Sequence, residues 1–224
     1  MNAILKTLAL LGAVLFLAAC NSTTVLLANF NAEPVGAPPA LNQPTGTVVT
    51  SEGSGTVRVA ASPAPGGGSN WVRIEHPTQP SPETVLVARF DSFHGAGKYG
   101  LLAALFIPTG TGAVTLQLEP FAGSGGDFLH LDFMPENDIR LNDNNANRFG
   151  TFPRDSTFVV SIQVDSTVSP PTARVGLLGV GTSGSRDVVL PSIATSFGQV
   201  RVWMGFQWTG PFFLDDLLVT RSNS

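Results

Sequence analysis

Phe158-Val159-Val160-Ser161-Ile162-Gln163-Val164-Asp165 sets apolar side chains at every second position, with polar ones taking over the alternate sites. Successive side chains of an extended strand point to opposite faces. The spacing therefore lines Phe158, Val160, Ile162 and Val164 on one face, with Ser161, Gln163 and Asp165 on the other. A helix would scatter both sets around its circumference. The same period runs through Thr56-Val57-Arg58-Val59-Ala60, Trp71-Val72-Arg73-Ile74-Glu75 and Val114-Thr115-Leu116-Gln117-Leu118-Glu119. It recurs in Phe128-Leu129-His130-Leu131-Asp132-Phe133 and in Val200-Arg201-Val202-Trp203-Met204-Gly205-Phe206. Each run describes a half-buried antiparallel strand.

Two runs, Val85-Leu86-Val87-Ala88 and Leu101 to Ile107, are continuously apolar and are expected as central strands covered on both faces. Candidate strands follow one another at intervals of roughly 8–14 residues, divided by Gly, Pro, Asn and Asp, the signature of a β-sandwich or barrel. The Pro- and Gly-rich stretch from Asn31 to Gly46 is expected as an ordered loop crossing a sheet edge. No segment repeats at a fixed period, which argues against propellers and solenoids.

The amino terminus has a different character. Lys6 precedes an uncharged apolar run from Thr7 to Ala19, and Leu17-Ala18-Ala19-Cys20 closes it. A basic start, a short apolar stretch and small residues before a cut site form a secretory signal. A run of about 13 residues falls short of the roughly 20 that a membrane-spanning helix needs. The Leu-Ala-Ala-Cys tetrad resembles the bacterial lipobox, which implies cleavage before Cys20 and acylation of that residue. The other reading is an ordinary secretory signal that contains a cysteine. The expected organisation is a helical signal over residues 1–19, a short lipidated tether over 20–24 and a single β-sandwich domain over 25–224.

The formal charge is −4, and becomes −5 once Lys6 is removed. With no basic block, nucleic acid is excluded as an expected partner. Cys20 is the only cysteine. If it carries lipid, the folded body has no disulfide, thiolate metal site or cysteine nucleophile.

Ala28-Asn29-Phe30-Asn31 with Pro34-Val35-Gly36, and Phe212-Phe213-Leu214-Asp215-Asp216-Leu217-Leu218-Val219, look like the first and last strands of a jelly roll. Between them, Ile139-Arg140-Leu141, Phe149-Gly150-Thr151-Phe152, Phe158 to Asp165, Ala173 to Gly179 and Val200 to Trp203 keep a familiar order. Together, over roughly residues 25–221, they resemble the concanavalin A-like lectin/glucanase and laminin-G-type sandwiches. The resemblance implies an all-β, two-sheet antiparallel jelly roll with six or seven strands per sheet, and glycan binding on a concave face or its rim. It also implies a structural calcium ion between first and last strands. Here Asn31, Asp215 and Asp216 stand at those positions, with Asn31 in place of the usual Glu.

Chemistry is sparse. The Glu-x-Asp-x-x-Glu strand that resembling glucanases use to align nucleophile and acid is absent. Gly123-Ser124-Gly125-Gly126 lacks the spacing of a nucleophile elbow. His76, His94 and His130 show no metal-ligand spacing. His130 and Asp132, two apart on one strand face, read either as an acid/base pair or as a solvated outer face. The Asn-rich segment from Asp138 to Asn147 reads as a hairpin turn or as a calcium loop. Trp203 pairs with Arg201 on the polar side of its strand and Trp208 follows in a loop, so these two are the expected sugar platform. The expectation is a membrane-anchored, non-enzymatic envelope lipoprotein, on the outer more than the inner membrane. It would bind glycan or envelope polymer, or alternatively serve a structural or protein-partner role, with a glycoside hydrolase or lyase as the third reading.

Overall fold

The computed structural model describes residues 22–53, 55–77, 82–121, 126–142 and 144–222. The expected signal segment and Cys20 lie outside these. The regular structure of the described residues is strand, apart from short 3-10 turns such as Ser192–Ser196. In chain order the strands are β1 (Ser22–Ala28), β2 (Thr47–Ser51), β3 (Thr56–Ala61), β4 (Asn70–His76), β5 (Thr84–Arg89), β6 (Lys98–Phe106), β7 (Val114–Pro120) and β8 (Leu129–Phe133). They continue as β9 (Asp138–Leu141), β10 (Asn144–Thr151), β11 (Thr157–Asp165), β12 (Thr172–Leu178), β13 (Ser185–Val189), β14 (Phe197–Met204) and β15 (Gly210–Ser222). Two antiparallel sheets result. One is ordered β13-β12-β11-β6-β15-β4-β3, with β1 also on β15, and the other β10-β9-β8-β7-β14-β5-β2.

Within the strands, the apolar positions of the period-two runs are buried as read. Phe158, Val160, Ile162 and Val164 are buried in the main core, as are Val114, Leu116 and Leu118 from the facing sheet, and Val200, Val202 and Met204 beside them. Strand β6 is buried at every position after Lys98, as its continuous apolar run demands. Its inner face joins the main core. On its outer face Ala104 and Phe106 form a second cluster with Trp71, Val159 and Phe213. Strand β5 is covered less completely, because it has only β2 beyond it and ends in the exposed Arg89.

The eight-stranded sheet exceeds the six or seven strands expected, and β15 explains why. Its first residues, Gly210–Leu214, pair with β4, and its last, Leu217–Ser222, pair with β1. A bulge in the β15–β6 register, between Asp215 and Leu218, separates the two stretches. Asp216 sits there at φ +47°, a left-handed conformation that Asp tolerates better than most residues. Its Oδ1 accepts a hydrogen bond from Asn29 Nδ2 at 3.1 Å, tying down the end of β1. First and last strands therefore do pair. Residues Ser22, Thr23 and Thr24, expected as tether, are already strand, opposite Ser222, Arg221 and Thr220. A long final strand offers them backbone partners that the sequence of β1 alone does not reveal.

The proline-rich stretch is an edge crossing, as expected. Gly36 donates to Val59 O and Val59 to Ala37 O, both at 2.8 Å, which extends the free edge of β3. The Asn-rich segment is the β9–β10 hairpin, with Asn142 at φ +54° in its turn.

Candidate functional site: the outer face of the seven-stranded sheet

The polar positions of the alternating strands converge on the outer face of the seven-stranded sheet. Register places Asp132 opposite Thr115 and Thr115 opposite Trp203, with His130 beside Gln117 and Gln117 beside Arg201. Glu119 lies next to Gln199, and Gln199 next to Arg89. Three ranks of side chains thus cross β8, β7, β14 and β5.

Their hydrogen bonds run diagonally and form one chain. The Trp203 Nε1–H donates to Gln117 Oε1 at 3.0 Å. An indole only donates, so this contact fixes which end of the Gln117 amide is oxygen. Gln117 Nε2 then donates to His130 Nδ1 at 3.1 Å. With Nδ1 accepting, the His130 proton sits on Nε2, which donates to Asp132 Oδ1 at 2.9 Å. Thr115 Oγ1 donates to the same oxygen at 2.7 Å. His130 Nδ1 also stands 3.4 Å from Asp127 Oδ2, a contact that a protonated ring would use instead. The Gln117 contact is shorter and its direction is set by the indole, so the neutral ring describes this geometry.

Asp132 is only 5% exposed, and its Oδ2 has no hydrogen-bond partner. The solvated-face reading of His130 and Asp132 therefore needs correcting. Thr115 at 5% and Gln117 at 8% are also buried, because neighbouring side chains lie over the strand. Nor do they form an acid/base pair aimed at solvent: the Asp132 oxygen that meets His130 is shared with Thr115.

Trp203 occupies the polar side with Arg201, as its alternation indicates. The Arg201 guanidinium lies 5.4 Å from the indole centroid. Glu83 and Glu119 hold the same guanidinium from other directions, the latter at 3.8 Å. Gly205 completes the seat. A Cβ there would stand 3.0 Å from Trp203 Cζ3, tighter than nearly all real contacts. The ring is partly exposed and fixed in orientation.

Trp208 has different surroundings. It packs against the main core and over Gly112, where an added Cβ would come within 2.6 Å of its own Cβ. Its carbonyl meets His76 Nδ1 at 2.8 Å. It serves chiefly to close the loop between β14 and β15, while Trp203 lies on the sheet face. Gln117 and Thr115 are the residues that sequence reasoning left out, and Arg201 entered it only as the companion of Trp203. All three stand at polar positions of runs already read as strands, but Gln117 and Trp203 are 86 positions apart.

Asn31, Asp215 and Asp216 form a hydrogen-bonded junction. Asn31 Oδ1 accepts from Asn70 N at 3.0 Å, and Asp215 Oδ1 accepts from Asp216 N at 2.9 Å. With Asn29 donating to Asp216, each residue commits an oxygen to an N–H group. These bonds use one oxygen of each side chain, and no arrangement of cation ligands is formed around them by the described residues. Among the described residues no group of three or more His, Cys, Asp or Glu could hold a metal ion.

No family model and no curated protein sequence matches the chain. Solved structures do. A sialidase superposes with a TM-score of 0.59 at 9% identity over 90% of this chain, which corresponds to 19% of that chain. Lectin II from Ulex europaeus gives 0.53 at 11% identity, covering 90% of this chain and 100% of that one. The exoplasmic/lumenal domain of VIP36, in a form bound to Ca2+ and Man2, gives 0.51 at 10% identity, covering 88% of each. The chain therefore has a concanavalin A-like, lectin-type fold: two antiparallel sheets in a jelly-roll sandwich.

Proposed function

We propose that the chain is a non-enzymatic glycan-binding module, held at a bacterial membrane through an acylated Cys20. One observation carries the binding half of this reading: Trp203 is a partly exposed aromatic ring locked in place by Gln117, Arg201 and Gly205 amid planar polar side chains. Sugars are recognised by an apolar ring face against which their C–H groups stack, with amide, carboxylate and guanidinium groups taking the hydroxyls. A ring already fixed in orientation loses little entropy on binding. The lectin-type fold supports the reading by analogy. Ulex lectin II and the sugar-bound VIP36 domain share it. The sequence lacks the Glu-x-Asp-x-x-Glu strand of the resembling glucanases, which supports a binder over a hydrolase of that kind. The tetrad ending at Cys20 supports the anchor, and an envelope location follows from it.

The test is a broad glycan array probed with the chain and with Trp203→Ala. Saturable binding to a glycan class, lost in the variant and kept in Trp208→Ala, supports the site. No binding across the array, or loss only with Trp208→Ala, contradicts it. Calcium belongs to the same test. A structural ion at Asn31, Asp215 and Asp216 would make chelation lower binding and melting temperature, and unchanged values exclude it.

A further inference from the structure

Strand β1 begins at Ser22, so a single residue, Asn21, separates it from Cys20. Two residue steps span at most about 7 Å even fully extended. Whatever Cys20 is attached to must lie against the end of the sandwich where β1 starts. The ladder identifies that end. Ser22 pairs with Ser222, Ser222 with Lys98, Lys98 with Asp165, Asp165 with Thr172 and Thr172 with Val189. One row thus crosses six strands of the eight-stranded sheet, and beyond it lie the β5–β6 and β11–β12 loops.

These loops are stitched together. Ser166 Oγ donates to Gly97 O at 2.8 Å and accepts from Gly97 N at 2.9 Å. Arg221 Nη2 binds Ala96 O at 2.9 Å, which ties β15 to the same platform. From it project Phe93, 57% exposed, and Val168, 44% exposed, with Val189 at 68% on the adjacent edge. Exposure alone does not single out this end, since Val180 at 79% and Phe206 at 60% project from the other. The position of the chain's exit does. The nearby carboxylates are also engaged: Asp165 by Thr167 and by Lys98 at 3.9 Å, and Asp91 by the Gly46 N–H at 3.0 Å. A low-dielectric boundary approaching this end would strip fewer unpaired charges of water.

We infer that the Phe93–Val168–Val189 end is a membrane-facing surface, whose partner is the interfacial region of the lipid bilayer that holds Cys20. The inference rests on the acylated-Cys20 reading. It adds an orientation: the body lies against the bilayer by this end, with the opposite loops and Val180 outward. Apolar side chains on a stitched loop pair can enter the headgroup boundary while Lys98, half-exposed and only loosely paired with Asp165 at 3.9 Å, reaches the phosphates.

The sequence suits a labelling test, because an acylated Cys20 leaves any introduced cysteine as the only free thiol. Full-length Phe93→Cys, Val168→Cys, Val180→Cys and Phe206→Cys are expressed in bacteria with a clickable palmitate. Open membrane fragments are then treated with a charged maleimide before and after detergent. The expected result is acyl label at Cys20 that Cys20→Ser abolishes. Positions 93 and 168 resist maleimide until detergent is added, while 180 and 206 react at once. Acylation with equal reactivity at all four positions overturns the membrane-facing surface and leaves the anchor standing. Protection at 93 and 168 that survives detergent also overturns it, in favour of a protein cover. Absence of acyl label, with the chain in the soluble fraction, overturns the anchor and this inference together.

Discussion

Arg154→Ala tests how the loops opposite that end are held. One guanidinium reaches four acceptors: Pro108 O at 3.0 Å, Thr111 O at 2.8 Å, Met134 O at 2.9 Å and Asn137 Oδ1 at 2.8 Å. It also lies 5.2 Å from the Phe152 ring centroid. Three separate loops, from β6–β7, β8–β9 and β10–β11, therefore meet on one side chain. Burial pushes the Arg154 pKa below its ordinary value, with Asp155 and Glu136 opposing that shift. Hydrogen bonds from a charged donor contribute about 1.5–3 kcal/mol each when buried. Arg154 is only half-buried, so the freed carbonyls regain water, and about 1 kcal/mol per bond is the better figure. The total is roughly 3–5 kcal/mol. At about 2–4 °C per kcal/mol for a domain of this size, Arg154→Ala should lower Tm by roughly 10 °C in differential scanning calorimetry. Arg154→Lys keeps the charge but cannot span four acceptors, so most of the loss should remain. A Tm for Arg154→Ala within about 2 °C of the parent, a shift worth less than about 1 kcal/mol, refutes the pin.

Other expectations follow from single features. Gly205→Val, by crowding the Trp203 ring at the 3.0 Å contact, should weaken glycan binding while Tm changes little; unaltered affinity would show that ring orientation is irrelevant. Asp216→Val places a β-branched residue at φ +47° and removes the bond from Asn29. It should cost about 2–3 kcal/mol, read as a Tm drop of roughly 5–10 °C. Asp155 has its pKa lowered, chiefly by the hydrogen bond from the Thr109 hydroxyl. A depressed carboxyl contributes above the ordinary carboxylate range and loses that contribution as pH falls through its folded value. Amide exchange at Thr109 should therefore quicken, relative to Asp155→Asn, only in strong acid; an equal pH response in both would count against the contact.

The strand pattern was legible because period two is a local property. Phe158–Asp165 and Val114–Glu119 each declare their buried face without reference to any partner. Strand neighbours are not local. Nothing near Trp203 says that Gln117 will lie beside it, and nothing in Ser22–Thr24 announces that β15 is long enough to pair with them. Burial on an outer face is hidden for the same reason. Trp71 and Asp132 stand at outward positions of their strands, yet other elements cover them. The carboxylate pair at 215–216 was readable as a constrained site, since adjacent strand residues cannot both face solvent. That the constraint is a bulge where β15 changes partner depends on β1 and β4 arriving on the same side of it.

The indole N–H resonances offer the most direct test of Trp203 as the platform. The chain has three tryptophans, and Trp71 is fully buried behind Ala104 and Phe106 while Trp208 packs on the core. On titration with a glycan selected from the array, the Trp203 indole signal should shift saturably, in step with the binding isotherm, and the Trp71 signal should stay still. A glycan that binds with the Trp203 resonance unmoved would contradict the site, whatever the affinity.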